Sequence, residues 1–600
     1  MHPSGVNGRC PSSAAFDVIC KQPRQPLPRP AQPLTWVLAN HSKAYLEAQQ
    51  YASGFTFLHT LLTTGTSIST PAKPYSALLA PAAQIALAAT VVVWPTVTTK
   101  ATSHGKIKGA DAALRYLRAI QTTIYPTDDT LKRAFACGER SRRHTQRIIA
   151  ITPSANSEGE EGEDGEDGDR FEKAANRERA EMANNMERLM SLPATSQSLW
   201  NRAEDFWHIV GWAFNCSVAH KKRWERWRLW LDLMLDFLEA DWEARIRLAN
   251  EEEADTEQIM MDSLMWHYIT SEEQTSRTSR TRMVRAILAM ATPASRIEFT
   301  EIWVGETLEP KPRKDNEDKP VLKVENEDDD LADLGSDDED ILIEDAQEDV
   351  PVQPAGRALS SKSSHSSMES IMFNSDDPGE QLGGMDAIDL RQRFLALLSS
   401  VSLALPLEFT DPGSLYDSSF ADIFLHLPTG VFSLLLSTTR LSEFEQIALS
   451  SNLLFPLVSA KVPNYATDTP IQSHFEDMIF QLRANIPSYE RNAKVSLLLE
   501  QMFMDMMSSD SLQATDRLRT AVEAGIKARM TIKGKKRNAP EEEQAKSLVE
   551  ASGERLLGLL EILEVSAGMK PQEWKRKTPS LPQFSSFDTL SSPPSNLSSP

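Results

Sequence analysis

Lys221-Lys222-Arg223-Trp224-Glu225-Arg226-Trp227-Arg228-Leu229-Trp230-Leu231-Asp232-Leu233-Met234-Leu235-Asp236-Phe237-Leu238-Glu239-Ala240-Asp241-Trp242 decides the fold class. Trp224, Trp227, Leu231, Met234, Leu238 and Trp242 recur at threes and fours, the spacing that puts side chains on one face of an α-helix. Arg223, Arg226 and Arg228 are then expected around the solvent face. Just upstream, Trp207, Val210 and Phe214 mark the apolar face of a second helix, with Gly211 leaving room for a close neighbour. A break is expected over Asn215–His220, so the pair reads as an αα-hairpin with heavy aromatic packing.

The same periodicity extends in both directions. A helical block is expected over 34–151, from Tyr45, Tyr51, Phe55, Leu58, Leu61 and Leu62 and again from Leu114, Leu117 and Ile120. The tryptophan-rich block covers 170–304, with further helices at Leu264–Tyr268 and Met283–Met290. A third block, 384–570, shows helical spacing at Phe394/Leu397/Leu398/Val401, Ile423–Leu436, Phe444–Leu454, Met478–Ile486, Val495–Met507, Leu518–Ile526 and Leu548–Val565. No alternating strand runs stand out. The expectation is an all-α protein, an irregular bundle or stacked hairpins, with a helical-repeat array as the more ordered variant. The proline-rich leader 1–33, the Gly/Glu stretch 152–169, the acidic and serine-rich stretch 305–383 and the tail 571–600 are expected to be disordered, because they have little apolar surface to offset ordering entropy.

Charge follows the same division. Of the formal net charge of −22, residues 157–170 carry −7 and residues 311–350 carry −12, so the helical blocks are nearly neutral. Four dispersed cysteines (Cys10, Cys20, Cys137, Cys216) lack zinc or disulfide spacing and suggest a reducing compartment. Ser76–Trp94 is the most hydrophobic window, but it is alanine-dominated and holds Pro81 and Gln84, so a buried helix broken near Pro81 is expected rather than a membrane span. Neither a cofactor nor a small-molecule substrate is expected.

Within the acidic stretch, Asp337-Asp338-Glu339-Asp340-Ile341-Leu342-Ile343-Glu344-Asp345 sets three aliphatic residues among carboxylates. Such a triplet suits addition as a strand to another protein's sheet edge, with acids steering it to a basic groove. It resembles the SUMO-interacting motif, in which Ile341, Leu342 and Ile343 would be the anchors and Asp340 and Glu344 the nearest flanking acids. Leu322-Lys323-Val324-Glu325 resembles the SUMO acceptor consensus, with Lys323 as the acceptor. Ser336 precedes Asp337-Asp338-Glu339, an acid-directed pattern similar to casein-kinase-2 sites, and a phosphate there would add about −2 charge beside the aliphatic core. The competing reading is an ordinary acidic linker.

Phosphate-loop, dinucleotide, HExxH, GxSxG and CxxC patterns are all lacking, so no catalytic motif is legible. His208 and His220 flank Cys216, but a core thiol is the simpler reading. Lys221, Lys222, Arg223 and Arg226 interleave with tryptophans, a combination able to contact nucleic acid through phosphates and stacking. Tryptophans at helical spacing more often form a core. Lys533-Gly534-Lys535-Lys536-Arg537 and Lys575-Arg576-Lys577 resemble nuclear-import signals. Thr578, Ser592 and Ser599 each precede proline, a phosphorylation pattern.

These features lead to a nuclear, non-enzymatic helical scaffold in chromatin or genome maintenance, binding nuclear proteins and SUMO and tuned by phosphorylation. The alternatives are a nucleic-acid-binding protein using the 221–228 face, and an enzyme with a helical active site not legible in the sequence.

Overall fold

The computed structural model describes residues 28–64, 75–136, 188–251, 256–270, 276–308, 377–531 and 540–569. They are overwhelmingly helical, so the chain is all-α, and they divide into two units, 1–410 and 411–600.

The first unit starts where disorder is expected. Residues 28–33 belong to the fold, because Arg29 is buried and holds three carbonyls. Its backbone N–H donates to Thr123 O at 2.7 Å, and its guanidinium donates to Leu62 O at 2.8 Å and Thr64 O at 3.2 Å. This pins Ala31–Pro33 (β1) in parallel register against Ala77–Leu79 (β2), a three-residue ladder too short to show as an alternating run. Trp36–Glu47 (α1) and Tyr51–Thr63 (α2) come next as a hairpin. Ala82–Val93 (α3) is buried on nearly every side, which is why its sequence is apolar all round. Of its two buried polar residues, Gln84 accepts from Ser42 Oγ at 2.8 Å and donates to Ala39 O at 3.1 Å, and Thr90 Oγ1 donates to Ala86 O and accepts from Leu199 N, both at 3.2 Å. Pro81 stands just before α3, so it begins the helix rather than breaking it. Among the described residues no helix is long and apolar enough to cross a membrane. His104–Thr123 (α4) packs on α2 through Gly109, where an added Cβ would lie 2.9 Å from Tyr51 Cβ.

Phe206–Ala219 (α5) and Lys221–Glu251 (α6) form the expected tryptophan hairpin. Trp224, Trp227, Leu231, Met234, Leu238 and Trp242 are all buried. The expected break over Asn215–His220 is confined to His220. Asn215 does not interrupt α5, because its amide bonds sideways, donating to Ser295 O at 3.1 Å and accepting from Ala291 N at 2.8 Å. Gly211 does admit a close neighbour, the Phe299 ring, whose atoms would lie 2.4 Å from an added Cβ. Arg277–Ile287 (α7) and Met385–Ala404 (α8) complete the unit; α8 packs on α6 rather than joining the C-terminal block, where its sequence neighbours would place it. The acidic break is also narrower than 305–383 at both ends, since Glu306 is buried and Pro378–Gln381 forms a helical turn.

The second unit is built around Tyr489–Ser508 (α11), packed against Thr429–Ser437 (α9), Glu443–Leu454 (α10) and Pro540–Ser566 (α13); Asp516–Met530 (α12) lies against α13. Side-chain caps fix the starts: a Ser442/Glu445 capping box on α10, Ser488 on α11 and Thr515 on α12. The expected helix over Met478–Ile486 is a single turn, Ile479–Gln481. Buried Arg529 takes the Phe480 and Leu482 carbonyls at 3.2 and 2.9 Å, and Pro487 disfavours helix at Ile486.

Candidate functional site

The basic-aromatic start of α6 is the one predicted site that lies within the described residues. Local sequence explains its position: Asp205 caps α5 by accepting from His208 N at 2.6 Å, and the His220 corner then sends α6 back along it. The side chains turn inward to the fold. Trp224 and Trp227 are buried; Trp227 meets Trp230 edge to face with ring centres 5.8 Å apart and lies 6.1 Å from Trp303. Neither indole presents a stacking face to solvent.

Arg223 overturns both sequence readings, solvent-facing and nucleic-acid-contacting. It is only 2% exposed, ion-paired with Glu306, and donates to Val93 O and to Thr98 Oγ1, the latter at 3.3 Å. Its guanidinium also lies over Trp227 and Trp303, 5.3 and 5.7 Å from the ring centres. The Glu306 carboxylate accepts from Ile302 N at 3.1 Å and Trp303 N at 3.3 Å, so both charges are hydrogen-bonded as well as paired. Arg226 bonds Asp111 of α4 at 2.7 Å, Arg228 pairs with Asp386, and Lys221 reaches Glu380 at 3.4 Å. Lys222 is exposed. The cluster is therefore largely spent on holding α6 to neighbouring elements.

Cys216 is fully buried, and burial pushes its thiol well up, with the Glu306 carboxylate adding to the rise. A thiol so disfavoured as thiolate is a poor nucleophile. His208 Nδ1 accepts from Glu204 N at 3.2 Å, which leaves Nε2 to donate to Thr300 O at 3.0 Å. The ring is held by backbone. No group of three His, Cys, Asp or Glu side chains among the described residues is arranged to hold a metal ion.

One arrangement escaped sequence reasoning. The acidic segment leaves and rejoins the same unit beside the start of α6. On the leaving side, Glu306 is anchored by Arg223 and Gly305 O accepts from Lys100 Nζ at 2.6 Å. On the returning side, Arg391 is buried over the Phe214 ring at 4.1 Å and donates to Ala289 O at 2.9 Å and Leu382 O at 3.2 Å, while Gly383 lies against Ser217. Burial lowers the Arg391 guanidinium to about 9. The signal is present in the sequence only as isolated residues, Glu306 and Arg391, at the edges of a stretch with no other mark of structure. A groove of about 510 Å³ beside β1, bordered by Pro33, Trp36 and Pro81, has no sequence signal either.

The remaining predicted sites lie outside the described residues: Lys323, Ser336, Asp340, Ile341, Leu342, Ile343 and Glu344; Lys535, Lys536 and Arg537; and Lys575, Arg576, Lys577, Thr578, Ser592 and Ser599. In comparisons with known proteins, no family model, no curated protein and no solved structure matches this chain.

Proposed function

We propose that this chain is a non-enzymatic scaffold of the nucleus, in chromatin or genome maintenance, that binds protein partners through its acidic segment. The observation that carries this reading is the placement of Ile341-Leu342-Ile343 in a segment whose two ends are both fixed on the first unit. A helical body supplies a firm base, and an aliphatic triplet with acidic flanks supplies a strand for a partner's sheet edge. A ubiquitin-like modifier of the SUMO type is the partner whose groove suits that chemistry: apolar along the strand, basic at the rim. Ser336 and Lys323, close in sequence, would adjust the contact by phosphate charge and by covalent modification. The two basic clusters would direct import.

The test is an NMR titration of isotope-labelled SUMO with a peptide spanning residues 333–350, with and without phosphate at Ser336. Shifts confined to the strand-and-helix groove, and their loss when Ile341, Leu342 and Ile343 become alanine, are expected. No shifts with either peptide would leave the segment an ordinary acidic stretch and remove the reading.

A further inference from the structure

A groove of about 720 Å³ opens in the second unit between the end of α12, the first turn of α11 and the non-helical stretch 482–488. Its lining is polar, through Ser459, Gln481, Arg483, Asn485, Asn492 and Thr531, and contains no aspartate or glutamate. In a chain of net charge −22 that omission sets the groove apart. Arg483 is exposed, and its guanidinium bonds nothing among the described residues. Arg491, in the first turn of α11, meets no carboxylate there either; its side chain bonds only Asn485 Oδ1, at 3.4 Å.

A third guanidinium lies against the same wall, inside the fold. Arg529 stands between the lining residues Ala528 and Thr531 in sequence and is 1% exposed. Its Nη1 donates to Phe480 O at 3.2 Å and to Leu482 O at 2.9 Å, and Leu482 is itself part of the lining. Its Nε and Nη2 bond nothing among the described residues. Burial lowers the group to about 10. Arg519, earlier on the same helix, shows the usual arrangement, since it is paired with Glu564 and Glu523. A buried charge needs such a partner, and carbonyl dipoles offset only part of the cost. So α12 carries one buried arginine that the fold neutralises and one that it does not.

We propose that this groove binds a phosphate monoester, whose charge Arg529 attracts from within the wall while Arg483 and Arg491 hold it at the mouth. The charge balance favours phosphate over carboxylate. A phosphate monoester brings about −2 charge, enough to offset more than one guanidinium. The arginine fork also matches its oxygens in pairs. A carboxylate would leave most of the positive charge uncompensated. The volume is that of a small-ligand site, so there is room for the group that carries the phosphate, an amino-acid side chain or a nucleoside. This site is independent of the acidic segment and its partner.

The test is phosphorus NMR on the full chain with two probes, the phosphoserine peptide Gly-Gly-pSer-Gly-Gly and adenosine monophosphate. Saturable broadening of at least one probe's line is expected. A response to the peptide alone assigns phosphorylated peptides as the source, to the nucleotide alone nucleotides, and to both the phosphate group itself. Arg529→Gln would also release two carbonyls, so the decisive variants are Arg483→Gln and Arg491→Gln, with folding checked by urea midpoint. Each should raise Kd about tenfold or more, the worth of a hydrogen bond to a charged group. Arg115→Gln, an exposed arginine of the first unit, should leave Kd unchanged. No broadening of either probe, a Kd indifferent to both groove variants, or an equal rise in Arg115→Gln would each overturn the proposal. So would displacement of the phosphopeptide, at equal concentration, by the same peptide with glutamate in place of phosphoserine.

Discussion

Arg223 and Glu306 form an ion pair that is shut off from solvent and joins the start of α6 to the segment leading into the acidic region. Each partner also bonds other groups, so the pair is locked from both sides. Removing one charge strands the other in a low-dielectric site, which costs about 3–5 kcal/mol. Arg223→Met or Glu306→Gln should therefore lower the denaturation midpoint of the first unit strongly. The double variant Arg223→Met/Glu306→Leu should recover a good part of the loss. If the double variant is as damaged as the sum of the singles, the packing of the arginine stem matters more than the charges.

Trp227 touches Trp230, Trp303 and the Arg223 guanidinium and has no exposed surface. Trp227→Ala should cost about 3–5 kcal/mol by cavity formation. Chemical denaturation checks the size. A variant that keeps full stability but loses affinity for DNA or RNA would contradict the core assignment.

Because both flanks of the acidic segment dock on the first unit, cutting the segment should not separate the pieces. A site-specific protease sequence placed within residues 309–376 should, once cleaved, leave two fragments that elute together in native buffer and part only in denaturant. Separation in native buffer would show that α8 does not hold to α6 by itself.

Asp505, on α11, accepts from Gln501 Nε2 at 2.8 Å through one oxygen, while the other is buried without a partner among the described residues. Burial, with a smaller push from the Glu443 carboxylate, raises it to about 7. In the unfolded chain an aspartate ionises near pH 4. The folded state thus holds a proton that the unfolded state has lost, and this contribution to stability is complete below about pH 4 and disappears as pH rises through 7. Between pH 5.5 and 8.5 the second unit should lose about 2 kcal/mol from this group. Asp505→Asn should flatten the profile, as read by urea midpoints across that range. An unchanged slope would move the effect to another group.

Replacing Asp337–Asp340, Glu344 and Asp345 by Asn and Gln should slow binding of the 333–350 peptide to SUMO and flatten its salt dependence, with a smaller loss of affinity than the three-alanine change. Rim charges act on encounter and are screened by salt, whereas the aliphatic anchors act on dissociation. Stopped-flow association at two ionic strengths separates the two cases.

Much of this architecture was legible because helical periodicity is a local property. The tryptophan stripe of α6 and the runs that became α10 to α13 needed only spacing to be recognised, and α3 only its run of apolar residues. What escaped notice depended on distant partners. Nothing around Arg29 says that it will reach Leu62 and Thr64, nothing around Asn215 says that its amide will be used across helices, and Arg223 looks like one more base in a basic run. A charged residue reads as solvent-facing until the carbonyls and carboxylate that surround it are known. The same applied at Met478–Ile486, where Arg529, far along the chain, claims the carbonyls that a helix would have used.

The two-point attachment of the acidic segment has a consequence for its freedom to change length. A connector between separate bodies sets their distance, so inserting or deleting residues moves one body relative to the other. Here both stems sit on one body, so the distance between them is fixed by the helices and not by the number of residues that separate them in sequence. Doubling such a loop costs only about 0.6 kcal/mol of closure entropy. Peptide motifs within it can therefore be gained, lost or multiplied at little cost to the helices that carry them, and whatever binds there remains tethered beside the opening turns of α6.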